Sequence, residues 1–316
     1  MEFQRKLEVP EISSLGYVLS NRAPKMQVLY EDNHLLVVVK PAGLPTMGVA
    51  EGEKSLLTVA RHYIGEKYHK PGNVYLGIVS RLDTPTTGVV VIARTSKAAD
   101  RLNQQFRTRS VEKTYLALVD GLVGVPGETG TLTDRMGEDP RHRKMFVTQS
   151  ASGIPAVLHY TVLRYFENTT LLEIHLETGR KHQIRVQMSH FEHPVTGDYK
   201  YRSRAKFPVG IALHAWRLAF EHPTLRTRMV MQAELPPSWE KFLHGPVELP
   251  ELEGGTVVKA AGWVRVEGST GTTESSVVTE DGVVTGEPVA DSTAPSESAP
   301  GEPAPDTLEK GKVGSG

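Results

Sequence analysis

The chain has 316 residues, 39% of them hydrophobic, no cysteine and a formal net charge of −1. That is enough apolar mass for a sizeable soluble core; without cysteine, disulfides, thiolate metal sites and a cysteine nucleophile are excluded, which fits a reducing, cytoplasmic compartment. The charge is uneven: from residue 251 onward 12 Asp and Glu oppose 4 Lys and Arg, a net −8, which leaves 32 basic and 25 acidic residues in 1–250, a net +7.

In chain order, QVLYEDNHLLVVVKPAG at 27–43 predicts a strand, a polar turn and a second strand ended by Pro41 and Gly43. Residues 54–68 set Leu56, Leu57, Ala60, Tyr63 and Ile64 at helical spacing, with Arg61, Glu66 and Lys67 facing water. Strands are expected at 75–80, 89–94 and 112–119, with a helix from Ser96 to Arg107, Thr95 as its N-cap and Ala98, Leu102 and Phe106 stacked along one face. Strands 157–166 and 170–177 flank the turn Glu167-Asn168. Gly179 then hands over to a helix with Arg180, Lys181 and His182 at its positive end. Two more strands are expected at 213–221 and 228–234. Irregular alternation with hairpin-length links predicts an α+β fold with a mainly antiparallel sheet and flanking helices.

No window approaches the roughly eighteen apolar residues of a membrane span, and Glu2, Glu8 and Glu11 break the layout of a secretion signal. Beyond Trp263 the chain is rich in Ser, Thr, Gly, Pro, Glu and Ala and has no aromatic residue, which predicts disorder. TVVKAAGWVRVEG is the alternative seed of a small β-module. The expected organisation is an extension at 1–26, a folded body at 27–250 and an acidic tail at 251–316.

Two stretches carry candidate chemistry. In SRLDTPTTG, at 80–88, a Pro- and Gly-containing turn runs into the apolar VVVIA, a rigid mount for the Asp83 carboxylate. The plainer reading is an Asp that caps its own turn. In TGRKHQIRVQ, at 178–187, helical spacing puts His182, Arg185 and Ser189 on one face and Ile184 and Met188 on another. A guanidinium there pairs with a carboxylate elsewhere in the fold, or stands solvated on an ordinary surface helix.

SRLDTPTTG is similar to the H-R-L-D-x-x-T-S-G motif of RluA-type pseudouridine synthases, and TGRKHQIRVQMSHFEHPVTGDYKY resembles that family's T-G-R-x-H-Q-I-R block with its closing G-D-x-x-Y. YEDNHLLVVVKPAGLP, EKTYLALVDG and LHAWRL resemble further family blocks, in family order, from residue 28 to about 240. The resemblance implies the pseudouridine synthase fold around a central RNA-binding cleft, with no metal and no cofactor. It makes Asp83 the catalytic nucleophile or acid–base centre and Arg185 the basic residue paired to it. Tyr115 becomes a catalytic tyrosine, packed on the target uracil and able to help move a proton, and Arg81 the arginine that fills the space of the extruded base. Arg180 and His182 join the substrate-binding set, and Leu213 is the apolar residue against the base. The sequence departs from the family pattern at Val39, Ser80, Thr87 and Gln187, and too few residues precede the first core strand for an S4 domain.

The expected reaction is isomerisation of uridine in structured rRNA or tRNA, which requires the nucleotide to be flipped out of its stack. Two other classes share these features. A catalytically silent RNA-binding protein would keep the cleft alone, and a glycosidase would need a second carboxylate that no motif supplies. The basic body favours an RNA partner, with no DNA or membrane expected and a monomeric protein. QFRTRSVEK (105–113), RMGEDPRHRK (135–144) and KYRSRAK (200–206) are read as loops that touch phosphate.

Overall fold

The computed structural model describes residues 26–243, 249 and 256–259, and twelve strands among them join in one sheet. Strand β1 (Gln27–Glu31) pairs antiparallel with β2 (Leu35–Lys40). Helix α1 (Leu56–Lys67) follows, started by a reciprocal Ser55–Thr58 cap, and then the two-residue β3 (Gly77–Ile78) where a longer strand was expected. β4 (Thr87–Ala93) and α2 (Ser96–Thr108) come next; the Thr95 side chain accepts from the Ala98 N–H, the cap that the sequence predicts.

Strands β2 and β4 lack alternation because both faces are covered. Val37, Val39, Val89 and Val91 pack with Ala98 and Leu102 of α2, whereas Leu36, Val38, Val90 and Ile92 pack with Leu56, Ala60 and Ile64 of α1. Two helices thus clamp the strand that emerges from the Asp83 turn.

The rest is chiefly antiparallel: β5 (Glu112–Asp120), β6 (Thr129–Asp139), β7 (Lys144–Val147), β8 (Ile154–Phe166) and β9 (Thr169–Leu176), then helix α3 (Gln183–His190) and β10 (Leu213–Glu221). β11 (Arg228–Gln232), the short α4 (Glu240–Leu243) and β12 (Thr256–Lys259) complete the fold. The sheet runs β1-β2-β4-β10-β5-β9-β8-β6-β7, with β3 on β4 and β11–β12 added at β10. The α+β class with a mainly antiparallel sheet is as the sequence indicates.

Near its middle lies a seam. β4 meets β10 in parallel through only two pairs, His214↔Thr87 and Ala215↔Gly88. Gly88 has φ +121°, and a Cβ there would stand 2.2 Å from the Ala215 carbonyl oxygen, so only glycine permits the approach. Thr87 Oγ1 lies 2.7 Å from Nδ1 of the fully buried His214, whose pKa burial pushes down to about 4. The neutral imidazole accepts the Thr87 hydroxyl and stitches the two strands together.

Three expectations change. RMGEDPRHRK is no loop: its first half is the end of β6 and its last residue opens β7, with the turn at 140–143. Gly130 and Gly137 hid the strand from propensity, yet each lies under an aromatic ring across the ladder, Tyr160 and Phe146, which covers the bare backbone. QFRTRSVEK likewise ends α2 and opens β5. β12 falls inside the stretch assigned to the tail from residue 251; it pairs with β11, and Val258 is buried beside Met229 and Met231. The 1–25 extension and the chain past residue 259 lie outside the described residues.

Candidate active site

The loop that carries Asp83 is held by its own backbone carbonyls. Thr46 Oγ1 donates to Leu82 O (2.8 Å) and accepts the Leu82 N–H (3.2 Å); Gly43 N donates to Thr84 O (2.8 Å), and Ile211 N to Pro85 O (3.3 Å). Lys40, the wholly buried last residue of β2, sends its ammonium to Thr84 O (3.2 Å), Leu44 O (2.8 Å) and Pro41 O (2.9 Å). Burial lowers the Lys40 pKa to about 7, against the attraction of the Asp83 charge. Every turn of the loop is thereby tied to the β2–α1 segment or to the approach to β10.

The Asp83 side chain does not cap its own turn. Its Oδ2 accepts from Arg185 Nη1 at 2.9 Å, 102 residues away, and its Oδ1 lies 3.8 Å from His182 Nε2. Arg185 is buried and is gripped from behind by the equally buried Asp198, with Nε to Oδ2 at 2.6 Å and Nη2 to Oδ1 at 2.9 Å. Burial opposes its charge, but the hydrogen bonds and charges of Asp198 and Asp83 raise its pKa well above the ordinary value. The Asp83 side chain keeps a quarter of its surface exposed, whereas Arg185 keeps 6% and Asp198 2%; only the carboxylate of Asp83 is presented outward.

His182 and Arg185, three residues apart, reach the same carboxylate, but the helix begins later than expected. Gln183 takes over the turn: its Oε1 accepts from Arg180 N (2.9 Å) and Thr178 Oγ1 (2.8 Å), and its Nε2 donates to Val157 O (3.0 Å). Arg180, Lys181 and His182 therefore precede α3, and His182 is its cap residue in a left-handed conformation, φ 55°.

Tyr115 is half-buried on β5, paired with Ala215 of β10 and Ile174 of β9; burial first, and then the Asp83 charge, push its pKa far up, so it stays a neutral phenol. Leu213 pairs with Ala117 on that same sheet face and is buried with Ile184, Met188 and Trp216. Arg81 is exposed two residues before Asp83. Arg180 is exposed as well, and its Nε donates to Pro155 O at 3.0 Å.

Lys40, Asp198 and Tyr201 were not singled out by sequence reasoning. The signal for Lys40 is a lysine at the end of an otherwise apolar strand, LLVVVK, and for the other two it is GDYKY at 197–201. Of the departures, Val39 is core and Thr87 bonds His214. The buried Gln187 donates to Asp134 Oδ2 at 2.8 Å.

This sheet and its flanking helices are those of pseudouridine synthases. The solved structure of Human RNA Pseudouridylate Synthase Domain Containing 4 matches with a TM-score of 0.57 and 26% identity, covering 71% of this chain and 95% of that one. The family described as RNA pseudouridylate synthase matches residues 34–190. Ribosomal large subunit pseudouridine synthase D of Pseudomonas aeruginosa is 36% identical over 236 residues, 69% of this chain and 70% of its own length. The Uncharacterized RNA pseudouridine synthase YlyB of Bacillus subtilis is 35% identical over 245 residues, 76% of this chain and 78% of its own. The chain belongs to the RNA pseudouridylate synthase family.

Proposed function

We propose that this enzyme isomerises particular uridines of ribosomal RNA to pseudouridine, with Asp83 as the reacting carboxylate. In that reaction the C1′–N1 bond breaks, the uracil turns, and a C1′–C5 bond forms as the C5 proton leaves and N1 gains one, so no redox equivalent is consumed. A fixed carboxylate serves this either by attack on the sugar or by abstraction of the C2′ proton. The observation that carries the reading is the Arg185–Asp83 contact at 2.9 Å, with Arg185 itself locked by Asp198. It leaves one face of a held anion open to substrate.

Around it, Tyr115 and Leu213 supply an apolar wall for the detached base, and the exposed Arg81 fills the gap in the stack. His182 and Arg180 complete the substrate contacts. The +7 charge of residues 1–250 supports a polyanionic partner over a free nucleoside. No described helix is long and apolar enough to cross a membrane. The reading is of a monomer that acts on RNA rather than DNA in the cytoplasm, with the acidic residues beyond 259 as a solubilising tail.

The test is a pseudouridine map of the host's stable RNAs with and without the gene. Loss of one or a few ribosomal sites is the expected result. Loss confined to transfer RNA would redirect the substrate, and an unchanged map would leave a silent RNA-binding protein.

A further inference from the structure

Tyr201 is 3% exposed, and its hydroxyl is placed between two partners: it accepts the Met145 N–H from β7 at 3.0 Å and lies 2.7 Å from His182 Nδ1. Its ring meets the His182 imidazole edge-on at 5.6 Å and sits 5.0 Å from the Arg185 guanidinium and 5.3 Å from the Lys144 ammonium. Burial is the chief reason the Tyr201 pKa is raised, so the hydroxyl keeps its proton. Burial also lowers the His182 pKa to about 4, helped by the positive charges of Arg185, Lys200 and Lys181 and opposed by Asp83. At neutral pH the ring therefore carries a single N–H.

Where that N–H sits follows from the hydrogen-bond count. The Met145 N–H occupies one acceptor site of the Tyr201 oxygen, and the Tyr201 O–H has His182 Nδ1 at hydrogen-bond distance. With Nδ1 accepting, the imidazole proton is on Nε2, which points at Asp83 Oδ1 from 3.8 Å. The other tautomer would leave the Tyr201 proton without its acceptor and turn a lone pair on the carboxylate. A backbone amide of β7, six strands from β4 in sheet order, thus sets the polarity that Asp83 meets.

We propose that Tyr201 is a positioning residue: bridging the β7 backbone to His182, its hydroxyl holds the imidazole as the Nε2–H tautomer against Asp83 Oδ1, while Arg185 holds Oδ2. This rests on Asp83 as the reacting carboxylate, and it assigns each of its oxygens a different partner. Oδ2 keeps a permanent cation. Oδ1 faces a neutral donor 3.8 Å away, beyond hydrogen-bond distance but close enough to tighten as charge moves.

The experiment uses the full chain. Long-range proton–nitrogen NMR of the parent, with His182→Gln for assignment, is expected to give His182 an unprotonated-type Nδ1 and a protonated-type Nε2. In Tyr201→Phe, which keeps the ring and its stacking, the two shifts should move toward each other. Single-turnover conversion of ribosomal RNA from the deletion strain should fall at least tenfold, with RNA affinity unchanged. In a His182→Gln background Tyr201→Phe should cost little more, since the two act as one unit. A proton found on Nδ1 in the parent, parental turnover in Tyr201→Phe, or losses that simply multiply would overturn the proposal. The tautomer is read without catalysis and without a mutation at Tyr201, so it stands or falls separately from the assignment of Asp83, which Asp83→Asn tests.

Discussion

Asp198 grips Arg185 with both carboxylate oxygens, at 2.6 and 2.9 Å, and leaves it a single Nη1 to offer Asp83. The arginine is aimed by one acid at another. Asp198→Ala strands a buried guanidinium with one partner and should cost about 3–5 kcal/mol of stability. Asp198→Asn keeps the shape and one acceptor; its loss should be nearer 1–2 kcal/mol, with slower turnover. Urea unfolding beside single-turnover rates separates the two effects.

Asp83→Asn keeps the side chain's size and removes its charge and basicity. Conversion should be abolished while RNA binding survives, because Arg81, Tyr115 and the basic surface remain. Arg185 retains Asp198, so the fold should hold. Near-parental conversion by a folded Asn variant would remove Asp83 from the chemistry.

Lys40→Met keeps length but leaves the carbonyls of Pro41, Leu44 and Thr84 without their shared donor. The expected loss is about 2–4 kcal/mol, with slower turnover as the Asp83 loop loosens. The sign with pH is defined. The folded pKa, about 7, lies below that of an unfolded lysine, so from pH 7 upward the unfolded chain binds more protons and stability rises. The parent should therefore gain about 2 kcal/mol over Lys40→Met between pH 6.5 and 8.5. Parallel stability curves for the two proteins would contradict the lowered value.

RNA binding should weaken by roughly tenfold or more between 50 and 200 mM salt, as several phosphate contacts release their counterions. Arg141, His142 and Arg143 crown the exposed β6–β7 turn, which Lys200 anchors through the Arg143 carbonyl at 2.7 Å. Replacing Arg141 and Arg143 with Gln should flatten the salt slope by about one to two units. Filter binding measures both.

Deletion of residues 268–316 should leave turnover within about a few-fold, as an acidic composition without aromatic residues predicts. A collapse in activity would make that segment part of the enzyme.

Much of this was legible because it is local. The Thr95 cap, the α1 and α2 stripes and the alternating strand β8 write their structure into neighbouring residues. The pairing of Asp83 with Arg185 was legible only through the resemblance, since nothing within a hundred residues of either announces the other. Asp198 escaped because its role exists only through Arg185, and Tyr201 because its hydroxyl works between β7 and the α3 cap. The β6–β7 hairpin escaped because its glycines are covered by rings from neighbouring strands, which no local window sees.

The seam between β4 and β10 has a bearing on how the enzyme comes into being. Asp83 enters from the β1-β2-β4 half, whereas Arg185, Asp198, His182 and Tyr201 all belong to the other. Two backbone pairs and one Thr87–His214 contact join the halves within the sheet at the place where the ion pair crosses. Neither half alone holds both members of the ion pair, so the arrangement exists only when the two halves are docked. With the seam open, Asp83 would lose its arginine, whereas Arg185 would still have Asp198. A closed seam is therefore a condition of the Asp83–Arg185 pairing, and turnover that depends on that pairing depends on the seam as well.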